Sequence, residues 1–141
     1  MKKISVIYWS SGGNVEVLAE NIKAGAEHLG AEVLIKHVHY AKVEDVTKAD
    51  AVAFGSPSMD NNRIEQEEMA SFLKNFKELN MENKPTVLFG SYGWDEGQFM
   101  VDWEKLMIEY GFNIVGKLAV QESPKEEEIK KAKALGELLG K

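Results

Sequence analysis

Short apolar runs alternate with longer segments of helical period along the whole chain, and that alternation leaves few folds open. Lys3 to Tyr8 is the first run. Asn14 to Leu29 follows with Leu18, Ile22, Ala26 and Leu29 on one helical face, and Gly30 stands where a left-handed residue ends a helix. Val33 to Val38 reads as a second strand and Ala49 to Gly55 as a third, with a short helix or none between them. A helix is expected from Ile64 to Leu79, presenting Met69, Phe72, Leu73 and Phe76 at spacings of three and four. Pro85 opens a fourth strand that ends at Gly90. The next helix, Gln98 to Tyr110, buries Phe99, Trp103, Leu106 and Met107 and stops at Gly111; a fifth strand covers Asn113 to Val120. Ser123, Pro124 and Glu126 then supply an N-cap, a first helical proline and a capping-box carboxylate for a last helix reaching Leu139.

Near-continuous apolar strands separated by helices imply an α/β protein whose parallel sheet is covered on both faces. Five such strands suit the order 2-1-3-4-5, with a switch point between strands 1 and 3. Ligands of these sheets bind beyond the carboxyl ends of the strands, so the loops after Tyr8, Gly55, Gly90 and Val120 are the places to look for function. No repeat, low-complexity tract or linker divides the 141 residues, and residues 1–141 are expected to form one domain.

Composition removes several functions at once. With no cysteine, thiol redox chemistry, Cys-ligated zinc and Cys-ligated iron–sulfur clusters are excluded, so an organic cofactor must carry any electrons. A net charge of -6 disfavours nucleic acid and anionic membrane as partners and suits docking on basic protein patches. Met1-Lys2-Lys3 and the apolar run behind it imitate a signal peptide. The run breaks at Ser10-Ser11-Gly12-Gly13-Asn14 without a small-residue cleavage site, so it reads as a buried strand. A cytoplasmic location is expected.

Ser10-Ser11-Gly12-Gly13-Asn14 leads from a strand into a helix, and hydroxyls, glycines and a helix N-terminus make an anion site. The loop holds no Lys or Arg and its spacing fails both GxxxxGK[ST] and GxGxxG, which points to a monoester phosphate on neutral donors or to a plain strand–helix turn. After the third strand, Gly55-Ser56-Pro57-Ser58-Met59-Asp60-Asn61-Asn62 is turn-rich and carries a methionine. After the fourth, Gly90-Ser91-Tyr92-Gly93-Trp94-Asp95-Glu96-Gly97 places two aromatics among glycines at the ligand edge, where they could stack on a flat ring.

Tyr8-Trp9-Ser10-Ser11-Gly12-Gly13-Asn14 resembles the phosphate loop of short-chain flavodoxins, and Gly90-Ser91-Tyr92-Gly93-Trp94 resembles the second flavin loop of clostridial-type members. The resemblance covers essentially the whole chain. It implies a flavodoxin-like three-layer sandwich and a low-potential one-electron carrier. That carrier holds one non-covalent FMN, has no catalytic residue or metal, and docks transiently, as a monomer, on redox partner proteins. It implies that Ser10, Ser11, Gly12, Gly13, Asn14 and Val15 surround the phosphate, that Met59 packs on one ring face and Trp94 on the other, and that Ser91, Tyr92 and Gly93 contact the ring edge or ribityl chain. Ser58, Asp60, Asn61, Asn62 and Gly97 complete the set of cofactor-binding residues, with the Asp60–Asn61 peptide rotating on reduction toward flavin N5.

Departures from the family pattern are local. Ser11 stands in place of Gly, Gly12 and Val15 in place of Thr, Asp60 in place of the Gly of the rotating turn, and Asn62 in place of a Glu that accepts from flavin N3. Lost hydroxyls weaken binding by about 0.5–1.5 kcal/mol each without abolishing it. Other readings are a binding module that has lost FMN and a flavin-dependent reductase. A response-regulator receiver domain would need an acidic pair after strand 1, an acceptor Asp after strand 3 and a Lys after strand 5, where this chain has Trp9-Ser10, Gly55-Ser56 and Gln121-Glu122. His28, His37 and His39 read as surface or strand-edge residues outside the ligand loops, with His37 and His39 sharing a strand face. Glu65 to Glu68 reads as a solvated helix face. A carboxylate at Asp60 opposes the anionic reduced flavin, while the non-glycine turn is expected to leave the neutral semiquinone less stabilised than in relatives with Gly there. A redox titration checks this, and near-complete semiquinone accumulation contradicts it.

Overall fold

The computed structural model describes residues 1–93 and 96–141, and of Asp60 the backbone alone. β1 (Lys3–Tyr8), β2 (Glu32–His37), β3 (Ala51–Gly55), β4 (Pro85–Tyr92) and β5 (Asn113–Gln121) form a parallel sheet in the order β2-β1-β3-β4-β5. This is the expected three-layer architecture. Strand alternation splits the core in two. Ile4, Val6 and Tyr8, Ala51 and Ala53, and Val87 and Phe89 pack under α1 (Asn14–His28) and α5 (Glu126–Gly140). Ile7, Val52, Phe54 and Leu88 face the other way. They lie under α2 (Val43–Thr47), α4 (Gln98–Glu109) and an irregular helical segment between β3 and β4. Each fully buried side chain of this size contributes about 1.5–3 kcal/mol relative to exposure.

That irregular segment runs as a π turn over Gln66–Ala70, one α turn at α3 (Ser71–Leu73) and a 3-10 turn over Lys74–Phe76. It is shorter and less regular than the helix expected over 64–79. Met69, Leu73 and Phe76 are buried as their spacing requires, while Phe72 is only partly covered. At its start the carboxylate of Glu65 folds back and accepts three backbone N–H groups, from Glu67 (2.9 Å), Glu68 (2.8 Å) and Met69 (2.6 Å). Glu65 is therefore a buried cap rather than part of a solvated face.

Other boundaries move as well, among them the start of β3, at Ala51 rather than Ala49. β4 continues through Gly90 and Ser91 to Tyr92, because β5 pairs along that whole length. The last helix starts at Glu126 rather than beside Ser123: Lys125 is extended, its N–H donates to the Glu128 carboxylate (2.9 Å), and the Ser123 hydroxyl faces Asn14 instead (3.4 Å). β2 ends at His37, and His39 lies in a 3-10 turn over Val38–Tyr40, so the two histidines do not share a strand face. Leu29, expected on the buried face of α1, stands just past the helix and is largely exposed.

α1 and α5 cross at backbone contact. A Cβ on Gly25 would sit 2.0 Å from the Lys133 carbonyl oxygen, and one on Gly136 2.0 Å from that of Ile22. Any side chain at either position forces the helices apart. Gly136→Ala is expected to lower the unfolding free energy by about 1–3 kcal/mol in urea titrations, and unchanged stability would show that the crossing yields freely.

Candidate functional site

β1 and β3 are neighbours, with Trp9 N–H donating to the Gly55 carbonyl at 2.9 Å, yet their continuations leave to opposite faces of the sheet. The crevice between those continuations is the site. On one side Ser10–Gly13 turns into α1. Gly13 sits at φ 94°, a left-handed conformation that glycine adopts without penalty, and no side chain caps the helix. Val17 N–H reaches the Gly13 carbonyl (3.0 Å), so the N–H groups of Asn14, Val15 and Glu16 precede the first intrahelical bond and have no acceptor in the helix. Gly13 N–H donates to the Ser10 hydroxyl (3.1 Å), whose own proton is left to donate outward. A Cβ on Gly12 would meet nothing within 4 Å, so the backbone here faces open space.

Val15 is core by its side chain and contributes only its backbone to the loop. Glu16, the acid of the first turn, is engaged below the loop, accepting from the Tyr8 hydroxyl at 2.8 Å. Burial, and then the Glu16 carboxylate, push the Tyr8 hydroxyl up to about 12, so it stays a donor.

The other wall comes from the loop after β3. Ser56 is fully buried and closes that loop at its base: its hydroxyl accepts Glu65 N–H and donates to the Pro57 carbonyl, both at 2.9 Å. Ser58 N–H continues the sheet by donating to the Ser91 carbonyl (2.8 Å). Above this base, Met59 N–H donates to Arg63 (2.6 Å) and Asn62 N–H to Met59 (3.0 Å). Asn61 (φ 60°, ψ 29°) and Asn62 (φ 55°) are both left-handed, a conformation Asn tolerates better than most side chains. Met59 is left 43% exposed at the rim.

Trp9, Ser10, Ser11, Gly12, Asn14, Val15, Pro57, Met59 and Ser91 line one cleft of about 200 Å³. The structure thus brings the candidate residues of all three loops together. Others lie beside it. Asn62 lines the neighbouring groove with Arg63 and Trp103. Tyr92 alternates to the face opposite Ser91, and its ring packs over Gly97 and against the core rather than standing free as a plate, with Gly97 left-handed at the start of α4. The Gly93 carbonyl accepts from Gln121 (3.3 Å). Trp94 falls outside the described residues, as does the side chain of Asp60. Neutral donors around open space, with no cation in the loop, suit a phosphate monoester.

Two residues that the sequence alone left aside belong here. His37 is paired with Tyr8 in register, and its Nε2 lies 3.4 Å from Ser10 N. Glu68 accepts the Trp9 indole N–H at 3.1 Å. Strand register was the missing signal for His37; Glu68 had none, since nothing local ties it to Trp9.

The family model described as Flavodoxin matches residues 6–136. The flavodoxin of Megasphaera elsdenii is 30% identical over 138 residues, 98% of each chain. That of Clostridium beijerinckii is 32% identical over 126 residues, covering 89% of this chain and 91% of its own. The solution structure of the two-electron reduced Megasphaera elsdenii flavodoxin superposes with a TM-score of 0.88 at 30% identity, covering 97% of this chain and 98% of that one.

Glu65 is the joint between the Met59 loop and the helical segment: its N–H meets the Ser56 hydroxyl, and the segment is capped by its carboxylate. Removing it in Glu65→Ala leaves three N–H groups without their acceptor, and unfolding in urea is expected to show a loss of about 1–3 kcal/mol. Wild-type stability in that variant would mean that solvent satisfies these groups.

Proposed function

Because the chain belongs to the flavodoxin family, as an FMN-binding electron carrier of the short-chain type, we propose that its cleft at the β1–β3 switch point is where FMN sits. One observation carries this: the uncapped N-terminus of α1, with its serine hydroxyls and no cation, opens into the same cleft as Met59 and Ser91.

In this reading the N–H groups of Ser11, Gly12, Asn14 and Val15 and the hydroxyls of Ser10 and Ser11 hold the phosphate, with Gly13 N–H kept on the Ser10 hydroxyl. Met59, exposed at the rim, lies on one face of the ring and Trp94 on the other. Ser91, Tyr92 and Gly93 approach the ring edge or ribityl chain through the end of β4, with the Tyr92 ring committed to packing. Ser58, Asp60, Asn61 and Asn62 form the turn along the ring's reactive edge, and Gly97 supports it from the start of α4. FMN supplies the one-electron chemistry. The chain's own work is to exclude water from one side, donate neutral hydrogen bonds and surround the site with negative charge, -6 overall, which disfavours a further negative charge and lowers the potential.

No side chain is required as acid, base or nucleophile, and the protein turns over no substrate of its own. Residues 1–141 work as one domain, a cytoplasmic monomer meeting redox partner proteins transiently. The acidic surface supports basic partner faces over nucleic acid or membrane, and among the described residues no helix is long and apolar enough to cross a membrane.

Titration of the FMN-free protein with FMN, followed by flavin fluorescence and visible absorption, tests the site. Saturable one-to-one binding is expected, with Ser10→Ala weakening it by roughly 2- to 10-fold and no steady NADH oxidation by the complex. A protein without measurable FMN affinity, or with steady NADH turnover, overturns the reading.

A further inference from the structure

Trp9 is the residue from which the loop Ser10–Val15 springs, and its indole does not follow that loop. It packs against the core on the opposite face and donates its N–H to Glu68 Oε1 at 3.1 Å. The second oxygen of the same carboxylate meets His39 Nδ1 at 2.5 Å. His39 in turn donates its backbone N–H to His37 Nδ1 (3.1 Å), and His37 Nε2 faces Ser10 N at 3.4 Å. One side chain on the helical segment after β3 therefore ties together the exits of β1 and β2.

We propose that Glu68 is a positioning residue for the loop Ser10–Val15, fastening Trp9 to the helical segment after β3 while His39 holds its second oxygen. This rests on reading that loop as the phosphate site. The other side-chain contacts of the loop's first residues are weak: a hydroxyl bond from Gly13 N–H at 3.1 Å and the 3.4 Å contact with His37. A neutral imidazole accepts on one nitrogen only, so His37 cannot serve His39 N–H and Ser10 N–H together, and the shorter bond wins. The bond from the Trp9 indole is stronger in kind, since its acceptor is ionised. Glu68 is held below the usual carboxylate range, first by the hydrogen bond from His39 and then by that from Trp9.

An exposed ion pair alone contributes little. Here, however, the pair orients the acceptor of a half-buried indole, and ordering a loop before its ligand arrives removes part of the entropy cost of binding. The other groups around Glu68 and His39 are His37 and the Tyr40 ring (4.9 Å from the His39 ring) at the exit of β2, Trp9 from β1, and Glu65 and Glu67 on its own segment. Glu65 is turned inward to its three backbone donors.

FMN dissociation constants of wild type, Trp9→Phe, Glu68→Ala, the double variant, Glu68→Gln and His39→Gln, all measured at one pH, test the latch. Trp9→Phe and Glu68→Ala are each expected to weaken FMN binding roughly 3- to 10-fold, with the double variant no weaker than the worse single one. Glu68→Gln keeps an acceptor for the indole and is expected to retain most of the affinity, as is His39→Gln, whose amide still donates to Glu68. A variant that merely destabilised the fold would move the melting temperature without this non-additivity and without the rescue by Glu68→Gln. Tight wild-type binding with unchanged or strictly additive variants overturns the latch alone. A wild type with no FMN affinity overturns the phosphate site and the latch with it.

Discussion

The divergence of the chain at the ends of β1 and β3 makes the site. These strands are bonded to each other up to Trp9 and Gly55, so their exits start side by side. One continuation must return over the α1 face and the other over the α4 face, because the crossover from β1 runs to β2 at one edge while that from β3 runs to β4, toward the opposite edge. A crevice opens between them at the edge where the α1 amino end points. Residues from sequence positions 9 to 91 share that crevice only because of this strand order.

An acidic chain binding an anion looks contradictory until the charges are placed. Potential at the loop is set by what lies within a few ångströms, and there the groups are backbone N–H and hydroxyl dipoles with the positive end of a helix. Glu16, the carboxylate that could oppose them, is tied to Tyr8. Glu68 is tied to Trp9 and His39. The net charge of -6 therefore acts on partners at long range and on an added electron, while the loop itself stays receptive.

Features with a period were legible in the sequence. Alternation of strands and helices fixed the order of elements, and Leu18, Ile22 and Ala26 or Phe99, Trp103 and Met107 marked their buried faces correctly. Ser10–Asn14 was legible because glycine and serine before a helix have a meaning at short range. Illegible were features decided by distant partners. Tyr92 reads as loop by composition but is strand because β5 pairs with it. Glu65 reads as surface by its neighbours, yet it becomes the buried cap of a segment whose N–H groups have no other acceptor. Gly25 and Gly136 look like ordinary helix weaknesses until the two helices are seen to touch.

The two halves of the cleft differ in how they are held, and the difference suits what each must do. The Met59 side is closed at its base by fully buried groups, the Ser56 hydroxyl and the Glu65 carboxylate, while the turn above carries two left-handed asparagines. Such a turn can change its peptide orientation on a fixed footing, since strain and anchoring are separated by only a few residues. The Ser10 side has the opposite design: its backbone is free to close on a ligand, and its footing comes from helix α1 and from Trp9 reaching across to Glu68. Glu68 and Glu65 lie three residues apart in one segment, so both footings are referred to the same few residues.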